Sequence, residues 1–381
     1  MSGNVHAVSA PRIFDGMALH TDSAVVIDGD TIAAVVARSE LSGAIPCVDL
    51  PEHAWLAPGF IDIQVNGGGD VLFNDEPTPE AIRAIAAAHR KFGTTALLPT
   101  LISDSAEKMA AACKAVESLV GVEPEILGIH LEGPFLSPDK PGVHDPRQLR
   151  VPLERDLALL TAPRRGAMLL TLAPERVPAE FIGALAAAGV RVSLGHSMAT
   201  YEETQHAMAA GLTCFTHLFN AMRPLESREP GPIAAALESE KAWCGLIVDG
   251  VHVAPAMLGL ALRGRAMPIL VTDAMPPVGG ARSCFQLQGE TIFVHSDRCV
   301  RGDGRLAGAY LTMAGAVANC VRLLGAPLAD ALRFASTHPA QLLGLGEKLG
   351  KLRPGFRADM VAFDESTIDV LDTWVAGRPS H

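Results

Sequence analysis

Four residues, of types that bind metals or transfer protons in other proteins, each follow an apolar run in this sequence. They are Glu132, His196, His217 and Asp273. A charged side chain beside such a run is normally paired or bound to a metal. One carboxylate and two imidazoles leave a fourth position for water, which is the usual composition of a catalytic zinc site, and a second carboxylate can serve as a base. The pattern predicts a metal-dependent hydrolytic site.

Each of these residues also has a simpler interpretation when it is taken alone. A lone histidine at a strand end is more often a hydrogen-bonded structural residue, and Asp273 alone fits a helix cap or a structural ligand. Four suitable residues at the ends of four different strands favour a shared site instead. We expect one divalent metal per chain, with zinc first and iron, cobalt or manganese as alternatives.

The elements that position these residues alternate between strand and helix. Eight candidate strands end near Val65, Pro99, Leu131, Leu172, Leu194, Thr216, Val248 and Thr272. Helical periodicity indicates helices at Pro79–Lys91, Ser105–Leu119 and Tyr201–Ala210, with Asp104 or Ser105 as the N-cap of the second. Eight such repeats predict a (β/α)8 TIM barrel of the metal-dependent hydrolase type, whose active site lies at the carboxyl ends of the strands.

The two ends of the chain differ from its middle. Residues 1–58 and 347–381 have strand and turn character, and we expect them to form one small composite β-sandwich domain. Residues 59–346 form the predicted barrel, with a β-rich insertion near 280–304.

Composition narrows the function further. The net charge of −11 argues against a nucleic-acid-binding surface, but a phosphorylated metabolite needs only local donors. Seven scattered cysteines without a C-x-x-C motif favour reduced thiols and a cytoplasmic location. No apolar run is long enough to span a bilayer, and the first residues lack the pattern of a signal peptide, so we expect no membrane partner.

The site motifs resemble the N-acetylglucosamine-6-phosphate deacetylase family of the amidohydrolase superfamily. The selective stretches are residues 130–135 (His-Leu-Glu-Gly-Pro-Phe) and 217–222 (His-Leu-Phe-Asn-Ala-Met). Residues 195–197 (Gly-His-Ser) and 272–274 (Thr-Asp-Ala) match in the same order. Residues 58–62 and 355–359 carry general superfamily signals, so the resemblance covers nearly the whole chain.

The resemblance implies hydrolysis of the acetamide of N-acetylglucosamine 6-phosphate to glucosamine 6-phosphate and acetate, in amino-sugar catabolism and recycling. It implies Glu132, His196 and His217 as metal ligands and Asp273 as the catalytic base and acid. The implied substrate contacts are Val143, His144, Asn220, Ala221, Arg228, His252, Leu306, Ala307 and Gly308. Arg228 would bind the phosphate, although a solvated loop arginine is the alternative, and His252 would reach the neighbouring subunit's site in a homodimer.

One departure from the wider superfamily concerns the metal count. Many amidohydrolases carry His-x-His after the first strand and bind two metals, whereas this chain has Gln64 and Asn66. Neutral amides are poorer ligands for transition metals than imidazole, so we expect one metal, with these two residues as residual second-metal or substrate positions. Two other hypotheses stay open: an amidohydrolase of another specificity, such as a dihydroorotase, cyclic-amide hydrolase or aminoacylase, and a catalytically silent scaffold.

Overall fold

The N-terminal part of the chain forms short strands of one sheet. The computed structural model describes residues 5–296 and 298–380. The first strands are β1 (Val5–Phe14), β2 (Leu19–Asp28), β3 (Thr31–Ala37), β4 (Cys47–Asp49) and β5 (Ala54–Pro58). A two-residue turn joins β2 to β3, because Asp28 pairs with Thr31. Gly29 stands in that turn with φ +65°, a conformation that glycine adopts without strain.

Eight parallel strands form the barrel. The strands from residue 60 to 270 are β6 (Phe60–Val65), β7 (Gly67–Gly68), β8 (Val71–Leu72), β9 (Thr94–Ile102), β10 (Gly128–Glu132), β11 (Ala167–Leu172), β12 (Arg191–Leu194), β13 (Leu212–Phe215), β14 (Trp243–Leu246) and β15 (Met267–Leu270). All but the short β7–β8 hairpin belong to one sheet in the order β15-β14-β13-β12-β11-β10-β9-β6. Every residue of β6, β9 and β10 is buried, as expected for parallel strands covered on both faces.

Helices follow the barrel strands. They are α1 (Pro79–Arg90), α2 (Ala106–Leu119), α3 (Glu154–Thr161), α4 (Ala179–Ala187), α5 (Tyr201–Ala210), α6 (Gly231–Glu238), α7 (Pro255–Arg263), α8 (Met313–Leu324), α9 (Leu328–Ala335) and α10 (Thr337–Leu342). Their starts follow ordinary capping chemistry: Ser105 caps α2 by accepting the Lys108 N–H, and Thr78 caps α1 in the same way before a proline at its first position. The three helices predicted from periodicity are therefore confirmed.

A four-stranded antiparallel sheet interrupts the chain after the eighth barrel strand. Its strands are β16 (Cys284–Leu287), β17 (Glu290–His295), β18 (Arg298–Val300) and β19 (Leu306–Ala309). The Met275 N–H donates to the Ala309 carbonyl oxygen, and the Ala309 N–H donates to the Asp273 carbonyl oxygen. These bonds hold the insertion against the carboxyl ends of the barrel strands, where the site was expected.

The C-terminal strands complete the first sheet. They are β20 (Met360–Asp364), β21 (Val370–Val375) and β22 (Arg378–Pro379), and β20 lies between β21 and β5. The sheet contains eight strands in all, contributed by both ends of the chain. The predicted (β/α)8 barrel with a β domain built from both termini is confirmed. The β-sandwich arrangement of that domain stays a prediction, because the strands from both termini join in one hydrogen-bonded sheet. Residues 1–58 plus 347–381 remain our proposal for the extent of that domain, of which residues 1–4 lie outside the described residues.

The barrel closes between its first and eighth strands through backbone bonds beside the site. The Asp273 N–H donates to the Gln64 carbonyl oxygen at 2.9 Å, and the Asn66 N–H donates to the Ala274 carbonyl oxygen at 3.0 Å. This seam therefore fixes the position of Asp273 relative to the end of β6. Among the described residues, no helix has both the length and the apolar character needed to cross a membrane.

Candidate metal centre and active site

Three buried donor atoms converge at the carboxyl ends of the barrel strands. Glu132 is the last residue of β10, while His196 and His217 lie two residues beyond β12 and β13. Oε1 of Glu132 lies 3.2 Å from Nε2 of His196 and 2.9 Å from Nε2 of His217, and the two imidazole nitrogens are 3.2 Å apart. The side chains are at most 6% exposed, so their polar atoms must satisfy one another or a bound ion.

This donor set fits a divalent metal. Ligand bonds of about 2.0–2.2 Å in a tetrahedral site separate neighbouring donors by about 3.4 Å, close to the distances found here. The Nδ1–H group of His196 donates to the Lys140 carbonyl oxygen at 2.7 Å, which leaves Nε2 without a proton and free to bind a metal. The three residues are the one group of this kind that the described part of the chain contains.

The carboxylate and the imidazoles of this cluster shift one another's pKa values. Burial alone would raise the pKa of Glu132, but its interactions with the His196 and His217 imidazoles outweigh it and hold the pKa well below its ordinary value. Burial would lower the pKa of His217, and the hydrogen bond to Glu132 raises it instead. Glu132 therefore stays an anion, which is the form that binds a cation.

The backbone is strained where the site residues leave their strands. His196, His217 and Asp273 have φ angles of +49°, +33° and +52°, in the left-handed region that side chains other than glycine rarely adopt. Such conformations cost on the order of 1–3 kcal/mol each and persist where the surrounding structure imposes them. Here they turn three strand ends inward toward one point.

Asp273 lies beside the donor cluster and is held by two amides. Its Oδ1 accepts hydrogen bonds from Nδ2 of Asn66 at 2.6 Å and from Nε2 of Gln64 at 3.1 Å. Burial, reinforced by the negative charge of Glu132, raises the pKa of Asp273 to about 6. A carboxylate with a pKa nearer neutrality is a better general base and acid than an ordinary aspartate.

His144 presents an N–H group to the same space. The backbone N–H of Ser103 donates to Nδ1 of His144 at 3.2 Å, so Nδ1 is an acceptor and the ring proton is on Nε2. Burial holds the pKa of His144 well below its ordinary value, and its electrostatic interaction with His196 acts in the same direction. The ring packs edge-on against His196 with centroids 4.4 Å apart. His144 is therefore a neutral hydrogen-bond donor next to the metal ligands.

A cavity of about 180 Å³ opens above these groups. The residues predicted from sequence that line it are Asn66, Glu132, Val143, His144, His196, His217, Asn220, Ala221, His252, Asp273, Leu306 and Gly308. Gln64 is buried behind this lining, and Ala307 is fully buried in the apolar cluster beneath the insertion rather than in the cavity wall. The cavity thus combines the metal centre, a base and a donor with space for a small molecule.

Arg228 does not line the cavity of its own chain, and its expected role in phosphate binding stays a prediction. It is exposed and absent from the lining. Its loop is tethered away from the site because Oε1 of Glu229 accepts the backbone N–H groups of Tyr201 and Gly231, at 2.7 and 3.1 Å. The alternative interpretation, a solvated loop arginine, describes its place in a single chain.

His252 is the residue expected to reach a neighbouring subunit. In this structure it lines the cavity of its own chain, with its side chain only 9% exposed. Oδ2 of Asp249 lies 2.5 Å from Nδ1 of His252, and Oδ1 of Asp249 accepts the backbone N–H groups of Val251 and His252. This carboxylate holds the imidazole at the cavity of its own chain, and the expected contribution of His252 to a neighbouring subunit's site stays a prediction.

Sequence reasoning missed four cavity residues and several supporting ones. Ile102, Gly142, Ile247 and Met275 complete the lining. Ile102 ends β9, and Ile247 directly follows β14, so the rule that barrel sites form at the carboxyl ends of strands could have found them. Asp249 was also detectable, because it precedes His252 by three residues in one short loop.

Comparison with known proteins agrees with this geometry. Residues 55–379 match the model of the Amidohydrolase family, and residues 6–53 match that of the NagA composite domain. The chain belongs to the amidohydrolase family. The resemblance inferred from the site motifs is therefore confirmed, and the metal dependence of the family agrees with the buried His/Glu cluster of this amidohydrolase.

Individual relatives of this amidohydrolase carry two related names. The N-acetylgalactosamine-6-phosphate deacetylase of Shewanella sp. (strain ANA-3) is 43% identical over 326 residues, which are 85% of this chain and 82% of the relative. The N-acetylglucosamine-6-phosphate deacetylase of Haemophilus influenzae is 35% identical, with 94% of each chain covered. The crystal structure of N-acetylglucosamine-6-phosphate deacetylase from Pasteurella multocida superposes with a TM-score of 0.94 at 33% identity and 99% coverage of each chain.

Proposed function

We propose that this amidohydrolase hydrolyses the acetamide of N-acetylglucosamine 6-phosphate, giving glucosamine 6-phosphate and acetate in amino-sugar catabolism and recycling. The observation that carries the proposal is a single cavity joining the Glu132, His196 and His217 cluster to Asp273 and His252. Relatives and a solved structure named for this activity, similar over nearly the whole chain, support it.

The chemistry at the amide needs a water, a base and donors for the carbonyl oxygen. Glu132, His196 and His217 would hold a divalent metal, which would supply a Lewis acid and lower the pKa of water toward about 7. Asp273 takes a proton from the attacking water as the new C–O bond forms. It then returns the proton to the sugar nitrogen as the C–N bond breaks, because a neutral amine leaves far more readily than an amide anion.

His144 has the features of the donor to the carbonyl oxygen. Its Nε2 carries the ring proton, as the Ser103 contact requires, and it is neutral because burial holds its pKa low. A preorganised N–H aimed at the oxygen that gains negative charge stabilises the transition state more than the ground state. Ser103 therefore matters to the reaction through the tautomer that it imposes on His144.

The sugar and its phosphate would occupy the remainder of the cavity. His252, held by Asp249 through Nδ1, is the candidate partner for a phosphate oxygen, in a charge-assisted bond. Asn220, Ala221, Val143, Leu306 and Gly308 line the space between. Arg228 would contribute only if its loop moves or if a second chain of the proposed homodimer brings it there.

A second candidate substrate is the 4-epimer, N-acetylgalactosamine 6-phosphate. The observation that favours it is the relative named for that substrate, whose 43% identity exceeds the 35% of the N-acetylglucosamine-6-phosphate deacetylase of Haemophilus influenzae. The two substrates share the acetamide and the phosphate, so the metal centre, Asp273 and His252 would serve both. The epimers differ only at one hydroxyl group of the ring.

Acetate release tests the proposal directly. Purified protein is given each 6-phosphate epimer and unphosphorylated N-acetylglucosamine, and kcat/KM is measured for each. Hydrolysis of a phosphorylated sugar well above that of the free sugar supports the proposal, and the ratio between epimers assigns the substrate. Activity on a cyclic amide or an N-acylamino acid instead would support another amidohydrolase, and a protein inactive on all of them would support a scaffold. We propose one zinc ion per chain, and reconstitution with iron, cobalt or manganese tests that choice.

A further inference from the structure

Two buried amide side chains at the end of β6 converge on the same oxygen of Asp273. The Nδ2 atom of Asn66 lies 2.6 Å from Oδ1, and the Nε2 atom of Gln64 lies 3.1 Å from it. Gln64 also directs Nε2 to Oε2 of Glu132 at 3.3 Å. The amide nitrogen of Gln64 therefore lies between two buried carboxylates, one in the metal ligand set and one on the base.

The two amides direct their nitrogens to carboxylates. An amide binds a cation through its oxygen, whereas Gln64 and Asn66 present N–H donors to the oxygens of Asp273 and Glu132. The Oδ1 atom of Asn66 is buried and has no hydrogen-bond partner among the described residues, so only its nitrogen is engaged here. The amide protons offset the negative charge that a second cation would otherwise neutralise. The nitrogen contacts thus give both amides a role beside Asp273, and the expected second-metal or substrate role stays a prediction that the metal analysis below tests.

The two carboxylate oxygens of Asp273 differ in the hydrogen bonds that they accept. Oδ1 receives both amide donors, while Oδ2 receives none from the residues that the structure describes. Asp273 lines the cavity, so the oxygen without donors is the one available to a molecule there. A carboxylate oxygen that already accepts two N–H bonds is also the poorer proton acceptor, because those bonds stabilise its charge.

Asp62 fixes the backbone on both sides of this arrangement. It is fully buried, and its Oδ1 accepts the backbone N–H groups of Gln64 at 3.1 Å and Thr272 at 3.3 Å. Its Oδ2 accepts the hydroxyl of Thr272 at 2.5 Å. One carboxylate therefore ties the residue that donates to Asp273 to the residue that precedes Asp273, across the seam of the barrel.

We propose that Gln64 and Asn66 are positioning residues that hold Oδ1 of Asp273 and so reserve Oδ2 for the proton transfer. The inference rests on the proposed function in one respect, namely that Asp273 is the base. In this role the two amides act through Asp273 and bind neither the metal nor the substrate themselves.

A double-mutant cycle tests the kinetic part of the inference. Asn66→Ala should lower kcat roughly 10- to 100-fold with little change in KM, because it frees the carboxylate to rotate. In the Asp273→Asn background the same substitution should change kcat less than about twofold, because there is no base left to position. Asn220→Ala is the matched control: this cavity amide donates to the His217 carbonyl oxygen and makes no hydrogen bond to Asp273 among the described residues, so its effect should be the same in both backgrounds. An unchanged kcat in Asn66→Ala, or equal losses in the two backgrounds, would overturn the inference.

Two readouts do not depend on activity. Elemental analysis of Asn66→Ala and Gln64→Met should show the wild-type metal content, and a loss of metal would mean that the amides serve the metal centre. A crystal structure of Asn66→Ala should show the Asp273 carboxyl group rotated, and an unmoved carboxyl group would refute the positioning role. If the wild-type protein releases no acetate from either epimer, the proposed function fails, and the crystal structure still decides the inference on its own.

Discussion

Replacing Asp273 by asparagine tests the role of the base most sharply, because the surrounding donors dictate how the new side chain must lie. Gln64 and Asn66 both present N–H groups to Oδ1. An asparagine at this position must give them its amide oxygen, and its own NH2 group then occupies the place of Oδ2. The variant would therefore present a donor to the cavity where the wild type presents an acceptor.

The magnitude follows from that exchange. General base and acid catalysis by a positioned side chain contributes about 10²- to 10⁴-fold, equivalent to about 3–5 kcal/mol of the activation barrier. The NH2 group that occupies the place of Oδ2 cannot accept a proton, so we expect kcat of Asp273→Asn to fall by roughly 10³-fold or more. The three donors of the metal centre are untouched, so metal content should not change.

The assay is acetate release at saturating substrate, combined with elemental analysis of the same preparation and a binding measurement with the phosphorylated sugar. We expect the metal content and the affinity for the phosphorylated sugar to match those of the wild type, while kcat falls strongly. If Asp273→Asn loses its metal, the residue is a ligand rather than the base. If it retains near-normal turnover, another group accepts the proton.

Two further predictions concern the phosphate and the stability of the fold. His252→Ala should weaken binding of the phosphorylated sugar by about 1.5–3 kcal/mol and affect the unphosphorylated sugar far less, whereas equal losses in the two binding titrations would mean that His252 does not meet the phosphate. Burial lowers the pKa of His89 to about 4, so the unfolded chain binds this proton more readily and stability falls as pH drops from about 6.5 toward 4. Between pH 7.5 and 5 this histidine should lower the free energy of unfolding by about 2 kcal/mol. Urea unfolding of His89→Gln should lack that part of the pH dependence.

The order of strands and helices could be predicted from the sequence because burial on both faces leaves a clear apolar signal. Each of the eight barrel strands coincides with an apolar run of the sequence, and the four site residues at the ends of four of these strands meet at one point. The left-handed backbone at His196, His217 and Asp273 was not predictable from composition, since asparagine, aspartate and histidine adopt it only where the fold demands it.

The course of the loops and the orientation of the side-chain amides could not be predicted from the sequence. Arg228 lies on a loop whose course is set by Glu229 bonding to the start of α5, a contact between residues 28 positions apart. The inward turn of His252 depends on Asp249 in the same way. For Gln64, sequence identifies an amide near the metal, but only the structure shows that its nitrogen rather than its oxygen faces Glu132 and Asp273.

The central claim is that one metal, held by Glu132, His196 and His217, makes this chain a deacetylase. The most direct test removes metal with a chelator and titrates zinc back while acetate release from N-acetylglucosamine 6-phosphate and its 4-epimer is followed. We predict no activity without metal and a linear return that reaches its plateau at one equivalent per chain, with Glu132→Gln failing to recover. Full activity in metal-free protein, or a plateau only at two equivalents, would contradict the account.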